Sequence, residues 1–231
     1  MQVNGYRGLR AFTLVELLVV ILIISVLLTL GAMTLRGAQG KSVLSSVATT
    51  ESLFDEARSV AVGKGTKSRV LIDVDDPEND NYLRRMLVVQ AELDDDGKIK
   101  DPEIWKATGQ ILMLPDGIFY SREFSKRDHE GQAQQIPDFE LSTAAPKVNG
   151  RYAYYEFNSE GICTTGLNGT TDYTGPSFVL GSGSRTPGED PTTTSGAERD
   201  FGGFVVWRNG STSLFKDPEQ ILGRNTDPKK F

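Results

Sequence analysis

Cysteine and histidine are nearly absent from this 231-residue chain, which has one of each, Cys163 and His129. One cysteine excludes an internal disulfide and a zinc site built on paired cysteines. One histidine, in a polar stretch with no cysteine beside it, gives no footing for a His-dependent nucleophilic triad. Gly-rich phosphate loops are missing, and so is an excess of cations: 25 Lys and Arg stand against 31 Asp and Glu, net −6. That balance argues against a nucleic-acid partner, whose affinity comes largely from cations neutralising phosphates. Carboxylate-pair chemistry of the glycosidase kind stays open, since any two of the 31 acids can meet in space. Trp105, Trp207 and the group Tyr152, Tyr154 and Tyr155 read as core or rim aromatics.

What the chain does have is one long apolar run, Phe12 to Leu30, nineteen residues with a single charge, Glu16. At 1.5 Å per residue this run spans roughly 28 Å, about the hydrocarbon core of a bilayer. A secretory signal peptide needs a core of only about 7–15 residues followed by a small-x-small cleavage site, so a retained membrane helix is the better reading. Glu16 lies one turn into the run, where an ionised carboxylate costs on the order of 2.5–3.5 kcal/mol if it reaches the bilayer centre. It can snorkel to headgroups, or it can gain a charge-assisted hydrogen bond from an ammonium in a bundle of helices. Residues 1–11 form a short leader with Arg7 and Arg10, no acid, and Ala11 at its end. Arg36 and Lys41 on the far side leave the positive-inside rule nearly balanced.

The string Ala11-Phe12-Thr13-Leu14-Val15-Glu16-Leu17-Leu18-Val19-Val20-Ile21 closely resembles the N-terminal signature of type IV pilins and type II secretion pseudopilins. The resemblance implies a leader cut by a prepilin peptidase between Ala11 and Phe12, N-methylation of the new Phe12 amine, and pairing of Glu16 with a neighbouring subunit's amine. Ala11 stands where the family usually has Gly, which implies slower processing. The implied partners are other pilin or pseudopilin subunits and an inner-membrane assembly platform. The implied location is the bacterial inner membrane, single-pass, with the short N-terminus cytoplasmic and the C-terminal domain periplasmic. Loss of the leader removes two Arg and no acid, so the mature chain carries net −8.

Beyond Leu30 the helix is expected to continue to about Gly63. Thr34 to Val62 contains no Pro, and Val43, Leu44, Val47, Phe54, Ala57 and Ala61 recur at helical spacing. Gly31, Gly37 and Gly40 read as a flexible segment between anchor and domain, and Gly63-Lys64-Gly65 as a helix stop. From Thr66 strands are expected at 69–74, 83–93, 110–114, 118–120 and 151–157, with a hairpin over 204–215 turning at Asn209-Gly210. A long helix followed by strands without intervening helices predicts an α+β fold with a mostly antiparallel sheet. The expected organisation is leader 1–11, assembly helix 12–35, amphipathic continuation 36–63 and a β-rich domain 64–231. Within the last, 181–203, rich in Gly, Ser, Thr and Pro, is expected to be a mobile loop.

The order of elements also resembles the H-type minor pseudopilins and their FimT-like pilus relatives. The residues that carry this are Ala57-Arg58-Ser59-Val60-Ala61 before a strand, Phe157-Asn158-Ser159-Glu160-Gly161, and the terminal hairpin. No cofactor is expected, with one metal candidate to weigh. Glu92, Asp94, Asp96 and Glu103 match the first, third, fifth and last positions of a calcium loop, but the first is Glu instead of Asp, Pro102 precedes the closing acid and the flanks read as strand. A solvated Asp-Asp-Gly hairpin turn is the favoured reading of those residues. The function expected is a structural minor pilin or pseudopilin subunit and no enzyme. A signal-anchored periplasmic enzyme or carbohydrate-binding domain and a DNA-binding minor pilin are the alternatives.

Overall fold

The computed structural model describes residues 14–129, 134–143, 145–165, 174–193 and 200–216, with the side chains of 26–41, Gln110 and Pro146 outside that description. Helix α1 runs over Leu14–Lys64, a stretch without a single Pro. Gly31, Gly37 and Gly40, expected to loosen it, are taken up in the helix instead. Their cost of roughly 1 kcal/mol each is small beside the cooperativity of a long helix. Its end is built by Gly65, whose φ of 63° is left-handed. Gly65 N–H donates to Val62 O and Thr66 N–H to Ala61 O, the paired bonds of a Schellman cap.

The chain divides into two units, 1–39 and 40–231. The second holds nine strands among the described residues: β1 Ser68–Asp73, β2 Arg85–Ala91, β3 Trp105–Met113, β4 Ile118–Tyr120, β5 Asp138–Leu141, β6 Gly150–Phe157, β7 Ser177–Ser182, β8 Phe201–Val206 and β9 Thr212–Phe215. They form two sheets, ordered β3-β2-β1-β6-β5 and β4-β7-β8-β9, with every pairing antiparallel. The architecture is therefore α+β with antiparallel sheets, as the element order predicts.

The second half of α1 serves both sheets. Val43, Val47, Phe54, Ala57 and Ala61 are buried in one cluster with Val70, Ile72 and Tyr155 of the first sheet and Phe178, Phe204 and Val206 of the second. Phe54 is the hub, with ring centroids 5.0 Å from Tyr155, 5.3 Å from Phe178 and 4.9 Å from Phe204, all edge-on. Each such pair is worth about 0.5–1.5 kcal/mol beyond its buried area. Period-two alternation sends Leu71, Leu87, Val89 and Tyr152 to the opposite face of the first sheet, where they form a second cluster with Trp105, Leu141 and Val148. Leu44 departs from the expected stripe and is 45% exposed.

Two strands escape the sequence pattern. β5, Asp-Phe-Glu-Leu, is short and half polar, and β7, Ser-Phe-Val-Leu-Gly-Ser, is buried along its whole length and shows no alternation. The loop expected over 181–203 needs correction at both ends, because Gly181 and Ser182 belong to β7 and Phe201 to Gly203 to β8. The described part between them is tied down. Ser184 bridges Thr192, and Arg185 donates to the carbonyls of Pro77 and Asn79.

Candidate functional site

The first stretch of α1 is apolar on every side. Its side chains stand in the open, from Leu14 at 80% exposure to Ile24 at 50%, with Leu17, Leu18 and Leu22 between them. A contiguous exposed apolar surface of this kind marks a place where lipid or protein belongs. Ser25 does not spoil it, since its hydroxyl donates to the Ile21 carbonyl at 2.8 Å and asks nothing of the surroundings. Glu16 sits in the first turn, where the positive end of the helix dipole favours a carboxylate. Ala11 and Phe12, the expected cleavage and methylation residues, lie outside the described residues. Among the described residues no helix is long and apolar enough to cross a membrane; the described side chains of the apolar run cover only Leu14–Ser25.

At the far end of α1 the structure brings together the three short strings singled out in the sequence. Arg58 Nε donates to the Gly161 carbonyl at 3.2 Å, and Gly210 of the terminal hairpin lies against both. A Cβ on Gly210 would sit 2.3 Å from that carbonyl and 2.7 Å from Arg58 Nε. Both glycines have left-handed φ, 76° and 78°. Small size and left-handed φ are thus required together at this junction. Buried Ala57 contributes its carbonyl, which accepts the Ser68 hydroxyl and so ties the helix to the start of β1. These contacts hold helix, turn and hairpin in register, which is a positioning task.

Three of the calcium candidates are engaged by other groups. Glu92 pairs with Lys100 at 2.9 Å and Glu103 with Lys67 at 2.7 Å, while Asp94 Oδ1 accepts the amides of Asp96 and Lys98. The Lys100 hydrogen bond and charge lower the Glu92 carboxyl below its usual value. Among the described residues no three His, Cys, Asp or Glu groups are arranged to hold a metal ion. His129 has its Nδ1 2.9 Å from the Gly175 carbonyl and its ring 5.0 Å from that of Trp207, edge-on.

Two buried charge networks were not foreseen. Arg69 lies within 4.1–4.6 Å of the rings of Trp105, Phe139 and Tyr154, and its guanidinium donates to Glu156 Oε2 at 2.6–2.7 Å. The only sequence signal was an arginine in an otherwise apolar strand, Ser68-Arg69-Val70-Leu71-Ile72. The second network joins Arg85 to Asp73 at 2.7 Å and to the Tyr152 hydroxyl at 2.7 Å. Burial raises the Asp73 carboxyl above its usual value, against the opposing pull of the Asp75 amide and of Arg85. Burial likewise pushes the Tyr152 hydroxyl up to about 12. In each network the cation is matched by an acid, which ties neighbouring strands of the first sheet together, although Arg85 Nε is buried without a hydrogen-bond partner among the described residues.

The fold and the helix define a class: an α+β protein whose N-terminal helix exposes an apolar surface with an acid in its first turn. Comparison makes this specific at the N-terminus, where residues 7–32 match the prokaryotic N-terminal methylation motif. Two solved structures of the minor pseudopilin EpsH from the type II secretion system of Vibrio cholerae are similar to it. One is 15% identical with a TM-score of 0.41, over 77% of this chain and 95% of that one. The other is 18% identical with a TM-score of 0.37, over 76% of this chain and 97% of that one. No curated protein matches the chain by sequence.

Proposed function

We propose that the chain is a pilin-like structural subunit, a minor pseudopilin of a type II secretion filament or the equivalent minor pilin. The observation that carries this is the coincidence of the methylation motif over residues 7–32 with an exposed apolar helix bearing Glu16 in its first turn. Prepilin peptidase cuts between Ala11 and Phe12, and the new Phe12 amine is methylated. The apolar stretch spans the inner membrane until assembly, with the β-rich domain on the periplasmic side. In the filament, lateral packing of these helices replaces lipid. A carboxylate in that setting gains a charge-assisted bond from a neighbour's amine. Glu16 thereby favours entry of a subunit next to another. The sheets do no chemistry in this account; they present a surface on the filament or its tip.

Intact mass of the membrane-extracted protein tests the proposal, with and without a co-expressed prepilin peptidase and with Ala11→Glu alongside wild type. The expected result is loss of residues 1–11 with one added methyl, only when the peptidase is present and only in wild type. A full-length mass under every condition overturns it.

A further inference from the structure

Among the described residues Asn is followed by Gly at Asn149 and at Asn209, and the two side chains are held differently. Such a pair is chemically labile, because a glycine amide nitrogen with no Cβ beside it can reach the asparagine Cγ. Asn149 is half-buried and tied at both ends of its amide. Its Oδ1 accepts from the Thr143 N–H at 2.7 Å and the Thr143 hydroxyl at 3.0 Å, and its Nδ2 donates to Thr143 O at 3.1 Å. Gly150 beside it is paired with Leu141 in the β5–β6 ladder. Asn209 stands exposed in the turn of the β8–β9 hairpin. Its Oδ1 accepts the Ser211 N–H at 3.0 Å and the Ser211 hydroxyl at 2.7 Å, while its Nδ2 has no partner among the described residues. Two donors pull on the carbonyl oxygen, and the nitrogen that has to leave is unheld.

We propose that Asn209 is a site of spontaneous deamidation, activated by Ser211, whose product unlocks the junction between the terminal hairpin and Arg58. The Gly210 nitrogen attacks Asn209 Cγ and gives up its proton to water. The oxyanion that forms at Oδ1 faces the two Ser211 donors, which stabilise it. The Cγ–Nδ2 bond then breaks, Nδ2 takes up a proton and leaves as ammonia, and a cyclic succinimide remains. Water opens the ring at either carbonyl, leaving an aspartate at position 209 or an isoaspartate, in which the main chain runs through Cβ and Cγ. The Gly210 N–H donates to Trp207 O at 2.8 Å, so the reaction proceeds from the molecules in which that bond has opened. Gly210, with φ 78°, is packed against the Gly161 carbonyl and Arg58. The backbone atom that isoaspartate adds displaces Gly210 from that place and frees Arg58 Nε from the Gly161 carbonyl, now 3.2 Å away. This inference stands independently of the filament assignment.

Peptide mapping of the full chain in detergent, held at pH 8 and sampled over time, tests it, with Ser211→Ala and Asn209→Gln beside wild type. The peptide containing Asn209 is expected to exchange ammonia for water in mass and to split into two isomers, about tenfold faster or more than the peptide containing Asn149. Ser211→Ala should slow that conversion roughly three- to tenfold, and Asn209→Gln should abolish it. The deamidated fraction, separated by its extra negative charge, should unfold at lower urea than the unconverted protein. An Asn209 that stays intact, or converts no faster than Asn149, overturns the inference. So does an unchanged rate in Ser211→Ala, which would leave the dipeptide alone as the cause, and an unchanged urea midpoint would sever the product from the Arg58 junction.

Discussion

The two halves of α1 solve the same problem in opposite ways. From Val43 to Ala61 the apolar residues keep to one side and are buried by the chain's own sheets. From Leu14 to Ile24 they face every direction and stay exposed. Continuous helix in both shows that backbone propensity decides little here, and that the width of the apolar stripe decides what must cover it. A one-sided stripe can be satisfied within one chain. An all-round one needs lipid or other helices.

If that contrast is right, the largest stability losses come from the second half. Phe54→Ala removes the hub of the aromatic cluster, and urea unfolding of the full chain should show a loss of about 3–5 kcal/mol. Leu18→Ala, by contrast, should leave the unfolding midpoint of the β-rich domain unchanged and act only on extraction from membranes or on assembly. Equal losses in the two variants would erase the distinction between the halves.

Next in size is Arg69→Met, which leaves Glu156 buried beside the emptied place among Trp105, Phe139 and Tyr154. Breaking such a pair from one side costs about 3–5 kcal/mol when fully buried, and somewhat less here with the side chains 11% and 14% exposed. Thermal unfolding should detect it. The double change Arg69→Met, Glu156→Gln should recover part of the loss, since it removes the stranded charge.

A smaller effect concerns pH. Because burial raises the Asp73 carboxyl, the folded state holds that proton more tightly than the unfolded chain does. Its contribution to stability is fully present below the unfolded value of about 3.9 and is lost as pH rises through the raised folded value. Asp73→Asn cannot titrate, so its stability relative to wild type should climb over that window. Urea midpoints of both proteins at pH 3.5 and pH 7 give the comparison. A relative stability that falls with pH would show that the Arg85 pair outweighs burial.

How much of this was legible beforehand follows the same physics. The apolar run, the acid at position 16, the stripe from Val43 to Ala61 and the Asn209-Gly210 turn are local patterns with a strong period or a specific backbone need, and sequence exposes them. Leu44 fits the helical period equally well, and only the placement of β8 and β9 leaves it uncovered. β7 has no alternation because both its faces are buried, which a period-two search cannot see. The aromatic surround of Arg69 draws on β1, β3, β5 and β6, so no single window contains it. Glu92 and Glu103 looked like parts of one loop, yet each found its own lysine. The Arg58, Gly161 and Gly210 junction was visible as separate strings and only the fold shows them touching.

The most direct test of the central claim is a spin-label accessibility measurement on the full chain in membranes, with labels introduced at Leu18→Cys and, separately, at Ser59→Cys. Cys163 is fully buried and should stay unlabelled. The account predicts a Leu18 label that collides with dissolved oxygen and is shielded from a water-soluble relaxant, and a Ser59 label with the reverse preference. Ready access of the water-soluble relaxant to both positions would contradict it.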